Sequence, residues 1–270
     1  MLNTGGISKS GRDELALLVG RGRRLVSVAD VARALELDRV TAAKRLARWS
    51  NQGWLRRVRR GLYIPVPVDA EDPRSWSEDP LVLADAVWNP CFFTGWTAAN
   101  HWTLTEQVFR TTVVKTAARV RQTRERLLDD DFYVVHVAPG LLDWGTRGVW
   151  RGDRRVRLAD PARTVIDVFD NPKLGGGIRL CAEFLTAYLG EHDWRVLVEH
   201  GDRLGNKSVF KRVGYVLEAA DLPNDGLLDA CRKRLSAGIT LLDPSAPPSG
   251  VRSSVWGLRV NVAVRREAPS

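Results

Sequence analysis

Nine polar side chains near the front of the chain have the types and spacing that contact nucleic acid. Five lie in a stretch with helical periodicity, most of them three or four residues apart: Arg39, Thr41, Lys44, Arg45 and Arg48. Four more follow within five residues: Arg56, Arg57, Arg59 and Arg60. Guanidinium groups pair with phosphate oxygens and, in bidentate fashion, with the edge of guanine. These residue types therefore predict a DNA-binding surface.

The two groups are expected to make different contacts. The first residues of a recognition helix reach base edges, so Thr41, Lys44 and Arg45 are candidates for base contact. Arg48 lies further along and is expected to meet phosphate. The four crowded arginines repel one another, and a phosphate backbone or a narrow minor groove relieves that repulsion. Duplex DNA is favoured over RNA because this segment lacks an aromatic platform for stacking bases.

The placement of charge supports this interpretation. Residues 1–67 carry fourteen Lys and Arg against five Asp and Glu, whereas residues 68–270 carry twenty-seven of each. The whole net charge of +9 therefore lies in the first quarter of the chain. A basic block before a neutral block indicates two modules with different partners, and the basic one is suited to a polyanion. A solvated basic tail is the alternative, but the same block is strongly patterned for helices.

Two helices and a hairpin are predicted to position these side chains. Ser27, with Asp30 three residues later, predicts a capped helix that runs to about residue 37. Asp38 then caps a second helix over residues 39–52. Residues 54–64 alternate apolar positions with arginines around a turn, which predicts a β-hairpin, the wing. The expected inward stripe of the second helix is Val40, Ala43, Leu46, Ala47 and Ser50.

The predicted fold class is α+β, with a winged helix-turn-helix domain followed by a mixed α+β domain. The first domain covers residues 1–67, a linker rich in Pro, Asp and Ser covers residues 68–80, and the second domain covers residues 81–270. Strands are predicted over residues 108–116 and 132–138, and a hairpin around Gly152-Asp153. Asp160-Pro161 opens a run of helices that extends to about residue 235.

The chain offers weak evidence for catalysis. A metal nuclease needs clustered carboxylates, and the local clusters are a run at residues 129–131 and the pair Asp160 and Asp167, neither with a recognisable partner lysine. The run is predicted to be a solvated loop and Asp160 a helix cap. Asp167 is predicted to be functional or to pair with Arg163. The four histidines lack metal-ligand spacing, so no catalytic residue, metal or cofactor is expected.

The cysteines and the N-terminus indicate a cytoplasmic protein. Three widely spaced cysteines without a C-x-x-C pair fit reduced thiols rather than a disulfide framework. The first twelve residues lack the apolar region of a signal peptide, and no apolar run approaches the ~18 residues of a membrane helix.

Several segments resemble one family. Residues 27–67, with Val28-Ala29-Asp30-Val31 and the Gly61-Leu62-Tyr63 hairpin, resemble the N-terminal module of AbiEi-type antitoxins. Three later stretches resemble the C-terminal domain of that family: residues 93–98, 158–167 and 206–218. The resemblance implies a repressor whose N-terminal module binds inverted repeats at its own promoter. It also implies a C-terminal domain that counteracts a neighbouring nucleotidyltransferase toxin, with or without a direct complex.

Two other functions stay open at this stage. The same DNA-binding module could target a nuclease domain, or it could serve a regulator whose second domain senses a small molecule.

Overall fold

A computed structural model describes residues 9–19, 25–67, 70, 72 and 76–264. These residues form two compact units. The first contains the described residues up to Val87 together with Glu125–Asp131, and the second contains Trp88–Arg124 and the described residues from Phe132 onward. The predicted division lies earlier, at a linker over residues 68–80. Of that linker, residues 68, 69, 71 and 73–75 lie outside the described residues.

The first unit combines helices with a small antiparallel sheet. Its helices are α1 (Lys9–Val19), α2 (Val28–Ala34) and α3 (Arg39–Asn51), and α4 (Pro80–Trp88) spans the boundary of the unit. Its strands are β1 (Val26–Ser27), β2 (Leu55–Arg59) and β3 (Leu62–Pro65), in the order β1-β3-β2. The two helices and the hairpin that the sequence predicts are therefore present at the expected residues.

Both predicted helix caps are confirmed. The Ser27 hydroxyl accepts the Asp30 backbone N–H at 3.2 Å, and the Asp30 carboxylate accepts the Ser27 backbone N–H at 3.0 Å. Asp38 accepts the backbone N–H groups of residues 40 and 41 at 2.9 and 3.0 Å. These bonds satisfy backbone donors that a helix start leaves without partners. Helix α2 ends at Ala34 rather than near residue 37, because Glu36 has a φ of 51° and a helix cannot continue through it.

The predicted inward stripe of α3 is correct at Leu46 and wrong at Val40 and Ala47, which are exposed, while Ala43 and Ser50 are half-buried. The structure buries Ala42, Leu46 and Trp49, at intervals of four and three residues, and leaves 64% of Val40 exposed. Trp49 carries far more apolar area than the small residues of the predicted stripe. Burying that ring stabilises the observed rotation of α3, which turns Val40 outward.

A six-stranded sheet with the order β6-β7-β5-β4-β9-β8 lies mainly in the second unit, although Glu125–Leu127 of β6 and the start of β7 belong to the segment assigned to the first. Its strands are β4 (Cys91–Phe93), β5 (Thr111–Thr116), β6 (Arg124–Leu127), β7 (Asp130–His136), β8 (Thr146–Arg151) and β9 (Arg154–Ala159). Strand β4 pairs antiparallel with β5 and parallel with β9, and β8 pairs antiparallel with β9. The predicted strand at residues 108–116 begins only at Thr111, and β4 and β6 were not predicted.

Helices form the rest of the second unit. They are α5 (Gly95–His101), α6 (Pro161–Asp170), α7 (Ile178–Glu191), α8 (Trp194–Leu204), α9 (Ser208–Ala219) and α10 (Asp225–Arg232). Every residue of Pro161–Phe169 is buried, so α6 is the central helix of the core. A three-stranded sheet follows, formed by β10 (Thr240–Leu241), β11 (Val251–Ser253) and β12 (Leu258–Val260). Among the described residues, no helix has the length and apolarity that crossing a bilayer requires.

Candidate nucleic-acid interface

A groove of about 770 Å³ runs between the start of α2, the first half of α3 and the β2–β3 hairpin. Two contacts fix the hairpin against α2. The Val28 backbone N–H donates to the carbonyl of Gly61 at 3.2 Å, and Val26 of β1 pairs with Tyr63 of β3. Gly61 has a φ of 76°, a conformation that residues with a side chain rarely adopt. The turn therefore requires glycine, and the turn holds the hairpin at the edge of the groove. We call this feature the helix–hairpin groove.

Cationic side chains line the helix–hairpin groove. Arg39 and Lys44 reach it from α3, while Arg57 and Arg60 reach it from the hairpin. All four are exposed. A shift of register between residues 57 and 59 marks a β-bulge in the hairpin. The structure therefore brings four of the nine predicted site residues to one concave surface.

Arg48 and Arg59 complete a set of six exposed cations on this module. The other members are Arg39, Lys44, Arg57 and Arg60. Among the described residues, none of the six lies within ion-pair distance of a carboxylate. No carboxylate among the described residues neutralises these like charges. The module therefore presents a strongly positive surface to solvent.

Apolar side chains form the floor of the same groove. Val28 and Ala29 come from α2, and Val40, Ala43 and Ala47 come from α3. Three of these, Val40, Ala43 and Ala47, belong to the predicted inward stripe, so the sequence did not indicate them as site residues. The sequence feature that indicates an outward Val40 is the size of Trp49. Burial of that large ring sets the rotation of α3 about its axis and turns Val40 outward.

The remaining three predicted site residues have partners within the first unit. Arg45 forms an ion pair with Glu14 of α1 and lies 5.9 Å from the centroid of the Trp49 ring. Arg56 donates to the backbone carbonyl of Trp76 and, at 3.2 Å, to Asp129. The structure therefore separates Arg45 and Arg56 from the six exposed cations.

Thr41 is engaged in the cap of α3. Its hydroxyl donates to the Asp38 carboxylate at 2.5 Å. That hydrogen bond, together with backbone donors, lowers the pKa of Asp38 below its usual value. The charged cap fixes the first turn of α3, from which Arg39 projects, and Lys44 follows in the second turn.

The other acidic residues singled out in the sequence also have partners. Asp129 binds Arg56, and Asp130 accepts a hydrogen bond from Ser77 at 3.2 Å. Asp160 caps α6 as predicted, and it also lies 3.1 Å from the Nε2 atom of His200, a pairing that the sequence did not indicate. Among the described residues, no three His, Cys, Asp or Glu side chains cluster as metal ligands would.

Asp167 is the centre of a fully buried ionic cluster. Its Oδ1 atom lies 2.7 Å from the Nε of Arg163 and 2.9 Å from the Nζ of Lys115, and its Oδ2 accepts the Thr94 hydroxyl at 2.7 Å. Burial by itself raises the pKa of Asp167, but the charges of Lys115 and Arg163 and the hydrogen bond from Thr94 outweigh it and lower that pKa. The cluster includes the partner lysine that the sequence did not reveal.

The guanidinium of Arg163 packs against an aromatic ring as well. Its central carbon lies 3.4 Å from the centroid of the Trp144 ring. Two cations and one carboxylate are therefore held together away from water, with every oxygen of Asp167 paired. This arrangement stabilises the packing of α6 on the sheet.

The front of the chain matches one known family model. Residues 13–66 match the sequence model of a family described as "Transcriptional regulator, AbiEi antitoxin". The matched segment contains α2, α3 and the β2–β3 hairpin, so the resemblance drawn from those elements is confirmed. The front segment of the chain is therefore similar to AbiEi-type regulators. The match covers about a fifth of the chain.

One solved structure has a similar fold over most of the chain. It is the crystal structure of the RV2827C protein from Mycobacterium tuberculosis, with a TM-score of 0.57 and 14% sequence identity. The similarity covers 92% of this chain and 90% of that one, and at this identity it shows the fold alone. No curated protein sequence matches the chain.

Proposed function

We propose that the chain is a non-enzymatic DNA-binding autorepressor and the antitoxin of a toxin–antitoxin system. In this proposal the first unit is a winged helix-turn-helix module, with α3 as its recognition helix and the β2–β3 hairpin as its wing. It binds inverted repeats in the promoter of its own gene. The observation that carries the proposal is the set of six exposed cations on this module, four of them lining the helix–hairpin groove, which lack carboxylate partners among the described residues.

Within this proposal the nine predicted residues divide into contacting and positioning groups. Lys44 and Arg39 lie at the front of α3, where side chains reach base edges. Arg48 and Arg59 meet phosphate, together with Arg57 and Arg60. The others act indirectly, because each is already engaged within the first unit: Thr41, Arg45 and Arg56. We therefore assign Arg45 to holding α3 against α1 rather than to base contact.

We infer a toxin partner from the match to the AbiEi family model. An AbiEi-type module indicates a cognate toxin, and we propose a nucleotidyltransferase encoded beside this gene, counteracted by the second unit. Asp160 and Asp167 would then be structural residues, because the first caps α6 and binds His200 and the second is enclosed by Lys115 and Arg163.

A promoter assay tests the autorepressor proposal directly. The DNA upstream of the gene is placed before a reporter, and the full chain is supplied from a second plasmid. Repression, with a footprint over an inverted repeat in the same DNA, supports the proposal. Full reporter activity together with an unprotected upstream region would contradict it. Co-expression with the neighbouring reading frame tests the antitoxin half, since growth arrest should appear only without this chain.

The apolar floor of the groove leads to a prediction about sequence preference. Apolar side chains in the major groove contact the C5-methyl group of thymine, and Val40 is exposed in the first turn of α3. Replacing one thymine of the footprint with deoxyuridine, which lacks only that methyl group, should weaken wild-type binding about fourfold. That factor corresponds to the free energy of burying one methyl group. The measurement scans each thymine of the duplex singly by fluorescence anisotropy.

The Val40→Ala variant provides the matching control. It should lose the preference for thymine over deoxyuridine at the sensitive position while still binding the duplex, because the two changes remove the same contact. Val255→Ala, at an exposed valine of the second unit, should keep the preference. Equal affinity for thymine and deoxyuridine at every position would exclude the contact.

A further inference from the structure

Trp150 differs from every other tryptophan of the chain. All ten tryptophans lie among the described residues, and nine of them are buried or half-buried. Trp150 leaves 67% of its surface exposed. It lies on β8, an outer strand of the six-stranded sheet in the second unit. A large aromatic side chain exposed on a strand that has only one neighbour is a feature that marks interaction sites.

The charge around Trp150 indicates the chemistry of a partner. The β8–β9 hairpin and its turn, residues 146–157, contain five arginines and a single acidic residue, Asp153. Residues 68–270 are neutral as a whole, so acidic residues elsewhere in that span offset the charge of this hairpin. The local excess of positive charge is therefore concentrated in these twelve residues. A basic strip of this kind attracts a polyanion.

The pairing of the two strands assembles a specific surface. Trp150 pairs with Arg155, and Gly148 pairs with Arg157, so these side chains share one face of the hairpin. The Arg155 side chain extends over Gly148, where an added Cβ would lie only 2.1 Å from its Nε atom. Glycine at position 148 therefore lets the Arg155 side chain lie across the strand on the face that Trp150 occupies.

A third arginine lies at the end of the hairpin. Arg151 pairs with Arg154 beside the turn, and the Arg151 Nε atom is buried without a hydrogen-bond partner among the described residues. These two cations add to the positive charge of the hairpin but lie on the face opposite Trp150, because successive residues of a strand point to opposite faces. Aromatic side chains that stack bases, combined with cations that follow the backbone, are the two elements that bind single-stranded nucleic acid.

We propose that the β8–β9 hairpin is a second nucleic-acid site, which stacks an unpaired base on Trp150 and binds an adjoining phosphate through Arg155. The site takes a single strand rather than a duplex, because stacking on an indole requires a base whose face is open. Base stacking is tolerant of sequence, so the site takes RNA or DNA that is unpaired. The site is independent of the helix–hairpin groove and of the autorepressor proposal.

The test separates this site from the groove in the full-length chain. All variants are built on the background Arg57→Gln/Arg60→Gln, which weakens the basic surface of the first unit. The probes are fluorescein-labelled oligouridylate and oligothymidylate of twenty nucleotides, which do not fold on themselves, and a twenty-base-pair duplex. Affinity is measured by anisotropy in 50 and 200 mM NaCl, and melting temperature checks that each variant is folded.

Trp150→Ala should weaken binding of at least one single strand about tenfold and leave the duplex unchanged, while Trp150→Phe should keep most of the affinity. The strand that shows the loss identifies RNA, DNA or both as the ligand. Arg155→Gln should weaken the same strand and make its binding less dependent on salt, whereas Arg195→Gln on α8 should do neither. If Trp150→Ala binds both strands as tightly as its parent, the site is excluded, and the exposed indole belongs to a protein contact instead.

Discussion

The double variant Arg57→Gln/Arg60→Gln is expected to bind the promoter duplex on the order of 10- to 100-fold more weakly than the wild-type chain in 0.1 M salt. Each contact between a cation and a phosphate releases about 0.9 counterion from B-DNA, so two lost contacts reduce affinity by about 1.8 log units at that concentration. Both residues are exposed and reach the groove from the hairpin. The loss should be similar for promoter and unrelated duplexes, because phosphate contacts carry no sequence information.

A control with the same change in net charge separates contact from long-range attraction. Arg195→Gln/Arg232→Gln removes two exposed cations from α8 and α10 of the second unit. It should leave affinity within about twofold of wild type, because neither residue belongs to the module assigned to DNA contact and salt screens charges that make no direct contact. The slope of log affinity against log salt should fall by about 2 for the hairpin variant and stay unchanged for the control. Equal losses in both variants would show that only total charge matters and that the hairpin is not a contact surface.

The second large effect is on stability. Asp167→Asn is expected to lower the free energy of unfolding of the second unit by about 3–5 kcal/mol, because it leaves Lys115 and Arg163 buried together without their anion. Seven of the ten tryptophans lie in the second unit, so urea unfolding followed by tryptophan fluorescence reports mainly on it. The control is Asp229→Asn, whose carboxylate is exposed and lies 3.6 Å from Arg232. An exposed pair of this kind contributes between 0 and about 1 kcal/mol.

The effect of Asp167 should depend on pH in a defined direction. Its pKa in the folded protein is lowered, mainly by Lys115 and Arg163 acting against burial. The unfolded value is about 3.9, so the stabilisation is fully present above that pH and is lost as pH falls through the lower folded pKa. The gap between wild type and Asp167→Asn should therefore be constant from pH 7 to about 5 and shrink below pH 4. A gap that closes between pH 7 and 5 would mean that Asp167 is not held as a buried anion.

Local sequence signals predicted the front of the molecule well. The caps at Ser27 and Asp38 and the glycine turn at Gly61 act over three or four residues, so their side chains reveal the helix starts and the hairpin directly. The rotation of α3 was not predicted correctly, because periodicity allows more than one inward face and only packing chooses between them. Burial of the Trp49 ring selects the inward face that the structure shows. Val40 consequently lies in the helix–hairpin groove.

The side-chain contacts that the sequence did not reveal join residues that lie far apart along the chain. Glu14 lies 31 residues from Arg45, Asp129 lies 73 from Arg56, and Thr94 lies 73 from Asp167. Spacing within one helix could suggest only the pair of Arg163 and Asp167. The ion pairs of Arg45 and Arg56 require the tertiary fold, so composition alone could not separate the six exposed cations from the two engaged arginines.

The most direct test of the central claim is the salt dependence of binding between the full chain and the DNA upstream of its own gene. The four cations assigned to phosphate predict a linear plot of log affinity against log salt, with a slope of about −3.6 for one module and about twice that for two modules on an inverted repeat. A scrambled duplex should show a similar slope and lower affinity. A flat plot, or no binding to either duplex in 50 mM salt, would contradict the assignment of the helix–hairpin groove to DNA.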